Sequence, residues 1–430
     1  MPRETAPRAG GLVRPADTLQ RLSPGDAWAF ADSNVLQAIA RNERARFGPR
    51  GALLRAIVGA LSKVGLGSVI VGVIGFGRLI GLMRRQGGPE VLAAYPRDFF
   101  VGFGAGSEEP LYAAFAGGNE EAVARLDQGK PSSFGTWHRV RFLRASRVLF
   151  ARSANASNAI RRVPTEFAAW RVDLLTSAAI RVGQYAFMRA WFEELREKCC
   201  SPREVAFLAA DTPAFAAVDV GLPTRYLQHG LVRHSLVLPR FERVTALTPD
   251  EAVHFRRRLP AASVETQSSG PFILPSTTER EVLVASVYAP PEEMQRVESF
   301  LLCASRQGWT VRVRPHPRED RAYWREASAK VRILLEDQDS SMRAALARLR
   351  PRLVVSWYST ALADALSSGV LPVTVCAADD PNVQDMVYPL FARCLRWPED
   401  ERAIAEAMND DVAYRREVAR LRQGWDTVPS

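Results

Sequence analysis

Lysine is nearly missing. Only Lys63, Lys130, Lys198 and Lys330 carry an ammonium, so arginine supplies most of the formal charge of +10 on this 430-residue chain. Cysteine and histidine are thin as well, at five each. The cysteines (Cys199, Cys200, Cys303, Cys376 and Cys394) lack metal-ligand spacing, and the adjacent Cys199-Cys200 pair suits a structural disulfide poorly, which fits a reducing compartment. The histidines form no metal constellation either, so neither a metal nor a cofactor is expected. The start, Met-Pro-Arg-Glu-Thr-Ala, has no apolar core of a secretory signal, and the expected location is the cytoplasm or the inner face of its membrane. There is no zinc finger, RNA-recognition signature or aromatic-interleaved basic repeat. That argues against nucleic acid and leaves anionic lipid and anionic substrates as partners for the positive charge.

The rest of the composition is globular, with 47% apolar and 24% charged residues. The length exceeds one ordinary core, so two domains with extensions are expected. Residues 1–90 read as an N-terminal extension, polar at first, with a capped helix at Asp32–Arg41. Within it, Val64 to Gly77 is uncharged and apolar, with Lys63 before it and Arg78, Arg84 and Arg85 after. The run is shorter than the roughly 20 residues that span a bilayer. Two readings stand: a membrane-surface contact with basic flanks, or a glycine-rich buried helix or helical hairpin.

Beyond residue 91 the pattern is α/β. A strand at 97–106 runs into a glycine-rich turn, followed by Glu108-Glu109-Pro110 and an amphipathic helix. Ser146–Ala151 reads as a strand and 164–198 as an aromatic-rich helix. Strands at 204–211, 224–230 and 243–248 surround short helices, and Pro249 starts another. Gln267-Ser-Ser-Gly-Pro271 breaks the pattern as a linker. Strands at 281–288, 309–314, 331–335, 353–356 and 371–376 then alternate with helices. The expectation is an α/β protein with two doubly wound, Rossmann-like domains, 91–270 and 271–398. Helices over 399–430 are expected to pack back on the N-terminal domain.

Three loops at strand ends carry the candidate chemistry. In Arg314-Pro315-His316-Pro317, two prolines stiffen the backbone behind an imidazole that can donate to a phosphate oxygen, and Arg314 adds a planar cationic fork. A simple turn is the alternative. In Ser356-Trp-Tyr-Ser359-Thr360, hydroxyls stand where a strand passes into a helix, an anion-binding geometry that capping alone would also produce. Gln228-His229-Gly230 ends a strand in the other domain, with Gly230 permitting close approach and His229 a base, a donor or a buried structural histidine. For activating an acceptor hydroxyl, Glu109, Asp211 and His229 are the candidates. No Asp-x-Asp stands beside these loops.

The His-Pro loop, the Ser/Thr turn and the following Ala-Leu-Ala-Asp-Ala-Leu-Ser-Ser-Gly-Val-Leu-Pro resemble bacterial GT-B glycosyltransferases of surface-polysaccharide synthesis. The likeness is nearest to sialyl- and polysialyltransferases and the Kdo transferases of capsule assembly. CDP-glycerol glycerophosphotransferases share a similar arrangement. Tyr-Leu-Gln-His-Gly and Leu-Thr-Pro-Asp-Glu-Ala also look like capsule-synthesis segments. The resemblance covers about residues 200–380. It implies an inverting, metal-independent transferase with a GT-B-like cleft between an acceptor domain, 91–270, and a nucleotide-sugar domain, 271–398. CMP-sialic acid or CMP-Kdo would be the donor and a glycan or glycolipid the acceptor, with His316, Ser359 and Thr360 on the nucleotide phosphate. The related base lies in an acidic-acidic-Gly motif, whereas here Pro110 follows Glu108-Glu109. A polyol phosphotransferase or a non-catalytic scaffold of a polysaccharide assembly are the alternatives.

Overall fold

A computed structural model gives the structure, and it describes residues 28–29, 35, 49–84, 98–102, 108–127, 139–163, 165–198, 203–267, 280–285, 291–315, 321–336, 342–357 and 359–423. The expected helix at 32–41, apart from Val35, and the expected linker beyond Gln267 lie outside them.

Two six-stranded sheets organise the chain. The first contains β1 (Asp98–Gly102), β2 (Val123–Asp127), β3 (Glu204–Phe207), β4 (Thr224–Leu227), β5 (Arg243–Ala246) and β6 (Ser263–Thr266), in the order β2-β1-β3-β4-β5-β6. The second contains β7 (Glu281–Ala285), β8 (Thr310–Arg314), β9 (Ile333–Leu335), β10 (Leu353–Ser356), β11 (Leu371–Thr374) and β12 (Leu395–Arg396), in the order β12-β11-β10-β7-β8-β9. All neighbours in the second sheet pair in parallel, for example Val282 with Val311 and Leu353 with Val282. Parallel strands need crossovers, which put helices over the faces and bury the strands on both sides. That is why Glu281-Val-Leu-Val-Ala285 is buried throughout. The expected α/β architecture of two doubly wound sheets is present.

The chain divides into two compact units. The first comprises 1–103, 116–226 and 235–242; the second comprises 104–115, 227–234 and 243–430. The first sheet thus gives β5 and β6 to the second unit.

Among the described residues, five α-helices precede β3: α1 (Pro49–Lys63), α2 (Gly67–Arg84), α3 (Glu109–Ala116), α4 (Arg139–Arg161) and α5 (Arg171–Lys198). α1 and α2 form a helical hairpin turning at Gly65, whose φ of 80° is open to glycine. The first unit is built on α5. Its Trp191 meets Phe99 of β1 edge-on at 5.9 Å, and its Phe192 meets Phe207 of β3 at 6.1 Å. α2 crosses α5 with backbone against backbone: a Cβ on Gly183 would lie 2.2 Å from the Gly75 carbonyl oxygen. Only a pair lacking side chains fits that crossing.

Ser146–Ala151, expected as a strand, lies inside α4. The reason is its neighbourhood. Arg141, Ala145, Leu149, Ser153, Ala156 and Ile160 are buried at helical spacing, so packing a long amphipathic face overrides a six-residue apolar run. β2 and β6 carry no strand signal in the sequence. Both lie at sheet edges, and the mixed burial of Val123–Asp127 and Ser263–Thr266 leaves no apolar run to see.

In the second unit, α7 (Pro249–Arg258) follows α6 (Thr212–Val220) of the first. Then come α8 (Pro291–Arg306), α9 (Arg321–Lys330), α10 (Met342–Leu349), α11 (Thr360–Ser367), α12 (Pro381–Gln384), α13 (Leu390–Arg393), α14 (Glu401–Asn409) and α15 (Asp411–Arg422). The last two do not follow the expectation of packing on the N-terminal domain. Ile404, Met408, Tyr414, Val418 and Leu421 join the core around the second sheet. Tyr414 also donates to the Gly369 carbonyl at 2.8 Å, and Arg352 binds the Ala407 carbonyl at 2.8 Å. Apolar faces go where a matching face is already exposed, here beside β11 and β12.

Candidate functional site

In the second sheet, β7 and β10 are neighbours although β8 and β9 intervene in sequence. Counted from β7, the order is that of a dinucleotide-binding sheet, and its reversal point falls between these two strands. A crevice opens at the carboxyl ends of strands flanking such a reversal. Those ends are Ala285 and Ser356, and the buried Ser356 hydroxyl ties them by donating to the Ala285 carbonyl at 2.6 Å.

The chain leaves β10 through Trp357 and enters α11 at Ser359. Ser359 is extended (φ −144°, ψ 138°), and its Oγ accepts the Ala361 N–H at 3.1 Å, a serine N-cap. The positive end of the α11 dipole therefore sits just past the reversal point, with exposed Thr360 as the first helical residue. This combination can hold an anion such as a phosphate.

Gln228-His229-Gly230 meets this helix start within the second unit. A Cβ on Gly230 would lie 2.5 Å from Thr360 Cγ2, so any larger residue would push the two apart. The loop is held firmly. Gln228 is fully buried; its Nε2 donates to the Gly230 carbonyl and its Oε1 accepts from Leu247 N–H, both at 2.8 Å. Gln267 Nε2 donates to the Gln228 carbonyl at 2.7 Å. Further on, Val232 N–H donates to Glu251 at 2.8 Å, and His234 N–H donates to the Asp385 carbonyl at 2.7 Å. An antiparallel bridge joins Arg233 to Met386.

Glu251 is the residue that sequence reasoning missed. It closes a capping box with Thr248, whose hydroxyl lies 3.0 Å from one carboxyl oxygen and accepts the Glu251 N–H at 3.2 Å. Burial pushes its carboxyl up to about 7, against the opposing pull of hydrogen bonds from Val232, Gln228 and Thr248. Thr-Pro-Asp-Glu was legible as a helix start, but a glutamate in a first turn is ordinarily solvated, and nothing local announces its burial.

The other candidates fall in different places. Arg314 ends β8 and is half-buried, Pro315 is buried, and His316 and Pro317 lie outside the described residues. His229 is exposed at the loop tip. Glu109 is exposed in the first turn of α3. Asp211 is the N-cap residue of α6 and belongs to the first unit. An Asp-x-Asp does follow β9, at Asp337-Gln338-Asp339. It was passed over in the sequence and also lies outside the described residues.

No family model matches the chain, and no curated protein matches it. Solved structures of similar shape include a UDP-GlcNAc 2-epimerase from Neisseria meningitidis bound to UDP-GlcNAc. It is 10% identical, covering 75% of this chain and 93% of that one, with a TM-score of 0.44. The glycosyltransferase VinC in complex with dTDP is 14% identical over 78% of this chain and 96% of its own, with a TM-score of 0.43. SnogD, a glycosyltransferase from Streptomyces nogalater, is 13% identical over 77% and 95%, with a TM-score of 0.41. At these values the functional reading rests on the chain's own strand order and side chains.

Proposed function

We propose that the chain is a glycosyltransferase that takes its sugar from a nucleotide, with the donor phosphate seated at the start of α11. The observation that carries this reading is the Ser359-capped helix N-terminus just past the strand reversal, faced across a van der Waals gap by Gly230. A phosphate there would meet backbone N–H groups and the Thr360 hydroxyl, with the half-buried Arg314 two strands away from β10 as the cation. His316, carried over from the sequence, would donate to the leaving phosphate. Gln228 and Glu251 would hold the loop that presents Gly230 and His229. Acceptor activation would fall to His229, Glu109 or Asp211.

The finer assignment is a CMP-linked sialic acid or Kdo donor, inversion at the anomeric carbon, and a glycan or glycolipid acceptor of bacterial surface-polysaccharide synthesis. It follows from the resemblance of the strand-end loops. Metal independence belongs to the same proposal, and Asp337 and Asp339 make it a sharp question. Transfer that survives EDTA supports it; loss restored by added Mg²⁺ or Mn²⁺ overturns it.

A thermal-shift screen against CMP, CDP, UDP and GDP tests the core reading, because a ligand bound to the native state alone raises the melting temperature. Stabilisation by one nucleotide in the wild type, lost in Ser359→Ala and His316→Ala variants that still fold, is the expected result. Absence of any shift, confirmed by calorimetry, would overturn nucleotide use altogether.

A further inference from the structure

The first unit presents a surface that the donor site does not use. Residues 49–84 hold five basic side chains and no acidic one; residues 139–162 hold seven and none. Four of these cations are matched by α5 and α6. Arg55 meets Asp173 at 2.5 Å, Arg141 meets Glu194 at 2.6 Å, Arg144 meets Glu197 at 2.8 Å, and Arg152 lies 3.6 Å from Asp219. Lys63, Arg84, Arg147, Arg161 and Arg162 are exposed.

Among these cations runs an apolar face. On α2 it is Val69, Val73 and Phe76, spaced as one helical stripe, with Val73 65% exposed. Val64 and Leu66 at the turn, and Leu53 and Ile57 on α1, are exposed as well. On α4, Leu143 and Phe150 are exposed on one face, Phe150 to 63%, with Arg147 between them. The Phe76 ring lies 6.0 Å from Phe142 and 6.5 Å from Phe150, which joins the stripes of α2 and α4. Arg84 ends the α2 stripe two turns beyond Phe76, and Lys63 stands at the turn. A contiguous apolar face of this kind marks an interaction site.

α2 is long and apolar enough to cross a membrane by length and composition. Its other side, however, is fastened: Gly75 packs against Val182 and Gly183, Gly72 against Ser153, and Gly67 against Leu175 and Ser157. A helix held along one side cannot also be wrapped in lipid. It can lie in the interface with its free side down. A second copy of the chain is disfavoured as the occupant, because a two-fold contact would bring like-charged surfaces face to face.

We propose that α1, the turn at Gly65, α2 and α4 form an in-plane docking surface for an anionic phospholipid bilayer. Val69, Val73, Phe76 and Phe150 enter the boundary between headgroups and acyl chains; Lys63, Arg84, Arg147 and Arg161 meet the phosphates. The inference rests on the first unit and does not depend on nucleotide use.

Vesicle flotation of the full chain tests it, using phosphatidylcholine with and without phosphatidylglycerol. The expected result is flotation with the anionic vesicles, weakening as salt rises. It is abolished by Val73→Asp with Phe150→Asp and weakened roughly fivefold by each of Lys63→Glu, Arg84→Glu and Arg147→Glu. Thermal melting of each variant checks folding, and Val73→Ser with Phe150→Ser replaces the aspartate pair if that pair does not fold. The proposal is overturned by no flotation at low salt or by variants that float like the wild type. It is also overturned by sedimentation of a lipid-free dimer that the double variant dissociates. Resistance to carbonate extraction from cell membranes would overturn the in-plane geometry.

Discussion

Among the described residues, the close approaches at Gly183 and at Gly230 both depend on glycine, and they differ in what they press against. At Gly183 the opposing atom is a carbonyl oxygen of α2, with the Leu79 nitrogen and Arg78 Cβ both within 2.9 Å of the same virtual methyl. At Gly230 it is one methyl of Thr360, an exposed residue at a helix start. The first is backbone on backbone inside a helical layer and sets how two helices cross. The second is backbone against a side chain and sets the width of a gap beside the capped start of α11. Glycine in the first case is a packing device; in the second it spaces a site.

The comparison would break first at Gly183. Gly183→Ala forces two helices apart and is expected to cost about 3 kcal/mol, the upper range for overpacking. A lowered melting temperature with unchanged nucleotide affinity in the surviving fold checks this. Undiminished stability would show that the crossing can relax.

Glu251 sharpens the second half, because it anchors Val232 two residues from Gly230. Its folded pKa of about 7 lies above the ordinary carboxylate value. The native state therefore holds the proton more tightly. The stability this contributes is complete below the unfolded pKa and is lost as pH rises through about 7. The loss is on the order of 3 kcal/mol across that window. Glu251→Gln should flatten stability between pH 5 and 8 and make the variant the more stable form at pH 8. Parallel pH profiles for the two proteins would contradict the assignment.

Gly230→Ala is a subtler test. No left-handed φ is required there, so the only obstacle is Thr360 Cγ2. A loss of about 1–2 kcal/mol is expected, with weakened nucleotide binding. Thr360→Ser, which removes that methyl and keeps the hydroxyl, should restore most of it. A double-mutant cycle measures the coupling, and additive effects would mean the gap does not matter. Smallest is Ser359→Ala, expected to cost about 1 kcal/mol as a lost N-cap in denaturant melts.

Much of the second sheet was legible because its central strands β7, β10 and β11 are buried on both faces and α11 starts on its own cap. Leu353–Ser356 followed by Ser359-Thr360 is visible as strand, cap and helix without any tertiary knowledge. Edge strands β2 and β6 were not visible, since half-exposed strands read as polar loops. Ser146–Ala151 misled for the opposite reason: six residues carry too short a window to separate the two periodicities. The site divides in the same way. Ser359 is local chemistry and could be named in advance. The approach of Gly230 to Thr360 joins residues 130 positions apart, and the burial of Glu251 depends on a loop that closes over it. Neither has a signature in its own segment.

The sorting of charge in the first unit has a consequence for arrival as well as for docking. The outer helices carry only cations, and the carboxylates that answer them stand on α5 and α6, already engaged. The charge of these helices reaches out to a Debye length, about 8 Å in physiological salt. If the docking proposal holds, these cations would turn the molecule as it nears an anionic bilayer, so that Phe76 and Phe150 meet the surface first. On that proposal, which helices are denied a carboxylate would set orientation as well as affinity.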